Sequence, residues 1–227
     1  MPGTLTRLSA KTLRRITKPQ SLPLLPELKV PGLPTGMGFE EFRTVHAGVL
    51  GAAVPYWVVA WPGGQALARF LLDQPEIVAG RRVVDFGCGS VLFAAAAMRA
   101  GAASAMGLDH ERNALIAMAE TARLNGVQVS KKRGEIESLS VSPDIVICAG
   151  DLWYERETGR RATVALNRLA AAGASIFCGD PNRPGRPRKG VIERAQYTFR
   201  ATTQFEVATE VTAKVFCFRS VHHSAGA

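Results

Sequence analysis

The sequence contains no C-x-x-C pair, and its four cysteines, Cys88, Cys148, Cys178 and Cys217, stand far apart. Zinc and dithiol redox motifs are therefore unsupported. Isolated thiols in or beside apolar strands fit a reducing compartment, the cytoplasm of a bacterium or the matrix of a mitochondrion. The four histidines show no metal-ligand spacing, so no metal is expected. No apolar run is long enough for a membrane helix, and no secretory h-region is visible. Internal repeats are lacking. Acid is missing from the start: none precedes Glu27, whereas Arg7, Lys11, Arg14, Arg15 and Lys18 all do.

What is present suits one globular domain with an N-terminal extension. The 227 residues are 47% hydrophobic, enough for a sizeable core. The formal net charge of +9 favours an acidic partner, whether protein, RNA or an anionic membrane face. Residues 1–50 are predicted to be a basic arm and linker with one short helix, and residues 51–227 the domain. Within the extension, Met1–Gln20 is expected to be mobile and faintly resembles a mitochondrial presequence. Ser21–Gly38, rich in proline and glycine, is expected to be an extended linker.

The stretch Val83–Phe93, VVDFGCGSVLF, organises the rest. A short apolar strand runs into Asp85, a glycine turn follows at Gly87 and Gly89, and an alanine-rich helix comes next. Strand, glycine turn and helix open a Rossmann-like nucleotide site, with helix N–H groups adding a polar cradle. The third glycine of G-x-G-x-x-G is absent, since Leu92 stands there, and Asp85 would oppose a pyrophosphate. That carboxylate suits a cationic ligand with an amino-acid end, and S-adenosylmethionine carries both a sulfonium and an ammonium. Asp109 ends the next apolar run, where an acid accepts both ribose hydroxyls.

From Arg82 onward strands and helices alternate. Strands are predicted at Arg82–Phe86, Ser104–Leu108, Gln128–Lys132, Asp144–Cys148 and Ala174–Cys178. Helices are predicted at Val91–Ala100, Arg112–Asn125 and Glu157–Ala172, with a weaker one at Val191–Phe199. Two adjacent strand-like runs, Gln204–Thr209 and Val211–Arg219, then suggest a hairpin. The whole is an α/β chain: a Rossmann-like class I methyltransferase sheet, seven-stranded and mostly parallel, closed by a C-terminal antiparallel hairpin. Upstream, Pro62-Gly63-Gly64 is expected to break the chain before a helix over Gln65–Leu72. Trp57 and Trp61 suit core and pocket wall equally.

Ligands of open α/β sheets bind outside the carboxyl ends of the strands. The fourth strand is followed by Gly150-Asp151-Leu152-Trp153-Tyr154-Glu155, the fifth by Gly179-Asp180-Pro181-Asn182-Arg183-Pro184. Methyl transfer to an amine builds positive charge on nitrogen, and a carboxylate such as Asp151 stabilises that charge. Tyr154 offers a hydroxyl or a π face to a cation. Asp151 suits equally the cap of the helix that follows. The run Arg183–Lys189 is a solvated loop or a docking patch.

The segments PYW, WPGGQALARFLLD, DFGCG, LNG, GDLWYE and GDPNRP together resemble the lysine methyltransferase family that acts on the electron transfer flavoprotein beta subunit. Bacterial members are often described as nicotinamide N-methylase-like. The resemblance runs from about Pro23 to Arg219. It implies a protein-lysine N-methyltransferase using S-adenosylmethionine and releasing S-adenosylhomocysteine. Its substrate would be that flavoprotein subunit or another protein, such as a ribosomal protein. GDLWYE matches the family's D-x-x-Y motif and implies Asp151 and Tyr154 as catalytic. Trp61 would lie against the cofactor and Glu135 near its adenine. A monomer without nucleic-acid or membrane partners is expected. Two positions depart from the wider class. Val91 replaces the last glycine of D-x-G-x-G-x-G and Phe93 adds bulk, which predicts crowding at the methionine end of the cofactor; Asp109-His110-Glu111 replaces D-x-D-P. A small-molecule N-methyltransferase, a non-catalytic binding module and an RNA methyltransferase are the competing functions.

Overall fold

The computed structural model describes residues 7–89, 92–140, 142–200 and 210–219. A seven-stranded sheet forms its centre. The strands are β3 (Arg82–Phe86), β4 (Ser104–Asp109), β5 (Ser130–Arg133), β6 (Ile145–Gly150), β7 (Ser175–Asp180), β8 (Val191–Arg200) and β9 (Glu210–Phe218). Their order is β5-β4-β3-β6-β7-β9-β8, with β3 to β7 mutually parallel where they pair and β9 antiparallel to both β7 and β8. This is the predicted architecture. The chain order reverses at the β3–β6 junction, so the carboxyl ends of these two strands diverge into a crevice.

The central strands are apolar without alternation because helices cover both faces. Val83, Val146 and Cys148 pack on one face, with α4 (Pro62–Asp73), α5 (Leu92–Arg99) and α6 (Arg112–Asn125). Val84, Ile147 and Ala149 pack on the other, with α7 (Arg156–Ala171). Gly126 ends α6 in the left-handed conformation, φ 66°, as the Asn-Gly pair predicts.

Five expectations change. Val191–Phe199 belongs to β8, not to a helix, and pairs along its length with β9. The hairpin is therefore present with an earlier first strand; Gln204–Thr209 lies outside the described residues. Pro62 does not break the chain: it is the first residue of α4, where its missing N–H costs nothing. The described part of the basic N-terminal stretch is packed on the domain, with Leu8 buried. Ser9 Oγ accepts the Thr12 N–H and starts α1 (Ala10–Ile16). Such a short helix persists through packing: Leu13 and Ile16 are buried with Phe42, Trp57 and Ala117, and Arg14 pairs with Glu120 at 3.1 Å. The proline-rich stretch forms a two-stranded hairpin, β1 (Lys18–Leu22) and β2 (Leu25–Gly32), with Pro19 opposite Pro31. Two short helices, α2 (Phe39–Val45) and α3 (Ala47–Leu50), follow where one is predicted.

Among the described residues no helix is long and apolar enough to cross a membrane, and no group of three potential metal ligands occurs.

Candidate active site

At the carboxyl end of β3 the chain turns through Gly87 and Gly89, whose φ angles of 64° and 40° lie in the left-handed region that a side chain disfavours. The Gly87 N–H donates to Leu108 O at 2.9 Å, and the Gly89 N–H donates to Asp109 Oδ2 at 3.2 Å. Asp109, the last residue of β4, thus clamps the loop. Its other oxygen accepts the Glu111 N–H at 2.8 Å. The backbone of Gly134 donates to Asp109 O, which brings Glu135 beside the same crevice. Asp85 lies elsewhere. It is fully buried beneath the loop, with Oδ2 accepting the Ala94 N–H at 3.0 Å, and it is not part of the cavity wall. Burial pushes its carboxyl well above the usual range.

Phe93 also points away from the cavity. A Cβ on Gly150 would lie 2.6 Å from its ring, and one on Gly64 3.8 Å, so the ring fills the space between α4 and β6. Phe93 is not part of the cavity wall. Val91 lies outside the described residues.

On the other side of β3, Asp151 follows β6 in the left-handed conformation, φ 57°, which a non-glycine residue rarely adopts. Its backbone N–H donates to Gly179 O at 2.9 Å, which ties the turn to β7. Its Oδ2 accepts the Gly64 N–H at 2.8 Å, so it satisfies an orphan donor in the first turn of α4. The helix after β6 begins only at Arg156, with Glu155 as its cap residue. Oδ1 of Asp151 accepts from Arg183 Nη1 at 2.6 Å. Burial pushes the Asp151 carboxyl up to about 6, against the pull of Arg183.

A cavity of about 750 Å³ spans the two ends, with Gly87, Gly89, Asp109, Glu135, Asp151 and Tyr154 in its wall. Its mouth is aromatic. Tyr56 stands 6.0 Å from Tyr154 and 6.1 Å from Trp61, ring centre to ring centre, and stacks on Phe39 at 6.2 Å. The Trp61 indole N–H donates to Tyr56 O at 3.0 Å, which fixes that pair. Tyr56 and Tyr154 are 49% and 58% exposed, so apolar ring surface faces the entrance. Of the predicted site residues, all but Asp85 meet at this one cavity.

Two further residues belong to it. Arg183 joins Asp151 in the wall. Glu111 has a buried Oε1 with no hydrogen-bond partner among the described residues, and burial beside Asp109 pushes it up to about 7. Its signal in the sequence was the second acid of Asp109-His110-Glu111, two residues beyond the strand end.

Residues 66–149 match the family model of ribosomal protein L11 methyltransferase (PrmA). A Pyrococcus horikoshii protein assigned as an RNA methyltransferase superposes with a TM-score of 0.58, covering 83% of this chain and 92% of that one. At 13% identity the two share the fold alone, that of the class I methyltransferases. The electron transfer flavoprotein beta subunit lysine methyltransferase of Xenopus laevis is 35% identical over 67% of this chain, a match that spans 64% of the relative. The Mus musculus enzyme is 31% identical, with 72% of this chain and 67% of the relative covered. By this similarity the chain belongs to the electron transfer flavoprotein beta subunit lysine methyltransferase family.

Proposed function

We propose that the protein methylates lysine side chains of a partner protein, the beta subunit of the electron transfer flavoprotein, with S-adenosylmethionine as methyl donor. The observation that carries this is the placement of two buried carboxylates on opposite sides of β3 in one cavity. Asp109 and Asp151 follow strands two places apart, roughly 10 Å at the usual strand spacing. A ligand can therefore lie across the Gly87–Gly89 turn with its ribose hydroxyls at Asp109 and its reactive end towards Asp151.

The wall fits that cofactor on its own evidence. Gly87 and Gly89 present backbone where a Cβ would stand. Asp109 keeps acceptor sites beyond those that hold Gly89 and Glu111, because a carboxylate accepts at about four positions. Glu111 brings a second, unpartnered oxygen. Glu135 and Trp61 line the adenosine and methionine sides, and Asp85 acts through the first turn of α5, whose Ala94 N–H it holds. When bound, S-adenosylmethionine supplies a methyl group on a positively charged sulfur.

The aromatic mouth admits a lysine stem, since Tyr56, Trp61 and Tyr154 offer apolar faces to the methylenes and π faces to the cationic end. The amine must be neutral to attack. As the N–C bond forms and the S–C bond breaks, positive charge grows on nitrogen. Asp151, ionised above about pH 6, stabilises that charge and holds the amine in line. The surplus proton then leaves the nitrogen for water. Four free cysteines among the described residues suit a cytoplasmic setting, or a mitochondrial matrix in a eukaryotic source.

The test is incubation with labelled S-adenosylmethionine and purified electron transfer flavoprotein. Label is expected on beta-subunit lysines. Asp151→Asn keeps the shape, and loss of one preorganised electrostatic contact costs on the order of a hundredfold or more in rate. Label confined to small molecules, or full activity in Asp151→Asn, would overturn the proposal.

A further inference from the structure

We infer that Arg183 is a positioning residue for methyl transfer: it fixes the Asp151 carboxylate at the cavity wall and holds it there in the charged form. The inference rests on the catalytic reading of Asp151 and adds to it a residue outside the D-x-x-Y motif.

The geometry is a triad of charges at the ends of β6 and β7. Arg183 Nη1 donates to Asp151 Oδ1 at 2.6 Å and to Asp180 Oδ2 at 3.2 Å. The arginine is itself anchored. Its backbone N–H donates to Asp180 Oδ1 at 2.6 Å, and Asn182 turns the chain back through a left-handed φ of 68°. The loop therefore delivers the guanidinium to one place. The groups facing Asp151 are the Gly64 N–H from α4, Asp180 from β7 and Arg183 from the loop beyond it. Two carboxylates thus share one guanidinium at hydrogen-bond distance, and Arg186 acts on Asp180 from further away. With both carboxyls ionised the hydrogen-bonded triad carries one negative unit, which matches one incoming positive charge.

Without the guanidinium, Asp151 and Asp180 would be two buried like charges, and one of them would take up a proton. Asp180 is fully buried, whereas the Asp151 side chain is 10% exposed at the cavity. Burial already raises both carboxyls, and Arg183 draws both down. Asp151 also retains acceptor sites, since Gly64 and Arg183 occupy only one on each oxygen. The arginine can therefore steady the carboxylate without shielding it from the amine.

A purely structural arginine would pin the loop 181–190 and nothing more. The two roles separate in Arg183→Gln and Arg183→Lys. The first readout is single-turnover methyl transfer from pH 5.5 to 9, taken as a ratio to the wild type at each pH. The second is the ¹³C carboxyl titration of the cofactor-free protein, with Asp151→Asn assigning the signal. Arg183→Gln should lose about tenfold at neutral pH and recover towards pH 9, with the Asp151 titration moved up from about 6 by about two units, within the usual effect of losing an adjacent opposite charge. Arg183→Lys keeps the charge but not the fork, and should regain most of the pH profile. S-adenosylhomocysteine affinity should stay within about twofold. An Asp151 titration in Arg183→Gln that stays with the wild type would overturn the inference, as would a loss equal at every pH. Full activity in Asp151→Asn would instead overturn the catalytic reading, whatever Arg183→Gln does to the carboxyl titration.

Discussion

Asp109 ties together the glycine loop, the end of β4 and the start of α6 at one side of the cavity. One oxygen holds the Gly89 N–H and the other the Glu111 N–H, so the carboxylate joins the glycine loop to the start of α6 while facing the cavity. Asp109→Ala should weaken S-adenosylhomocysteine binding by roughly tenfold to a hundredfold, the worth of hydrogen bonds to a charged group. Calorimetry measures this, with a thermal melt to show that the fold persists. Unchanged affinity in a folded variant would remove Asp109 from the ligand. Residues like this one were legible because an acid at a strand end has few packing uses. Glu111 was not, because what makes it unusual is burial conferred by the cavity around it. Asp151 was legible as a carboxylate at a strand end, but the donor it satisfies was not. The nearest helix in sequence begins five residues later; the one it caps begins at Pro62, brought there by the sheet.

The first turn of α4 is the element that sets the Asp151 end of the cavity. Trp61 closes the mouth, Gly64 donates to Asp151, and Gly63 lies against the end of β7. A Cβ on Gly63 would stand 2.6 Å from the Gly179 carbonyl carbon and 2.7 Å from Asp151 Oδ2. Neither neighbour is a flexible side-chain tip that can swing aside cheaply. Gly63→Ala should therefore destabilise by about 1–3 kcal/mol, as overpacking does, and should lower methyl transfer by displacing Asp151. Gly48→Ala, in a helix with open space around the new methyl, should be neutral or stabilising by up to about 1 kcal/mol. Urea unfolding of the two variants compares these costs; equal stabilities would refute the close-packing account. The same turn shows where local sequence misleads. Pro-Gly-Gly looks like a chain break, yet proline suits a first helical turn and Gly63 is demanded by its contact with Gly179 of β7, far along the chain. The order of β3 to β7 followed from strand–helix alternation, which is local information. For β8, Val191, Ile192, Ala195 and Phe199 fit a helical face as well as a strand, and pairing with β9 decided the matter. For α1 charge suggested a mobile arm and for the β1–β2 hairpin proline content suggested an extended linker, and packing against α6 decided otherwise.

At the scale of the whole molecule the dominant property is the net charge of +9. Much of it stands in the open. Lys131, Lys132 and Arg133 are exposed along the edge strand β5, and Arg188 and Lys189 are exposed on the loop that begins at Arg183. That loop folds back beside Trp153, where a Cβ on Gly185 would lie 3.6 Å from the Trp153 carbonyl oxygen, so it runs next to the segment that carries Asp151 and Tyr154. A protein substrate presenting acid around its target lysine would be drawn towards this side. Such attraction acts over a Debye length, about 30 Å at 0.01 M salt and about 8 Å at 0.15 M. Association with the electron transfer flavoprotein should therefore slow severalfold between these two salt concentrations, while single-turnover methyl transfer at saturating substrate stays nearly constant. Stopped-flow association kinetics supply the first quantity. Reversing Arg188 and Lys189 together to glutamate should flatten the salt dependence, and reversing Lys131 and Lys132 on the far edge of the sheet should change it less. An association rate indifferent to salt would leave the charge without a part in docking. Equal effects from both reversals would assign steering to the overall field of the protein in place of the loop.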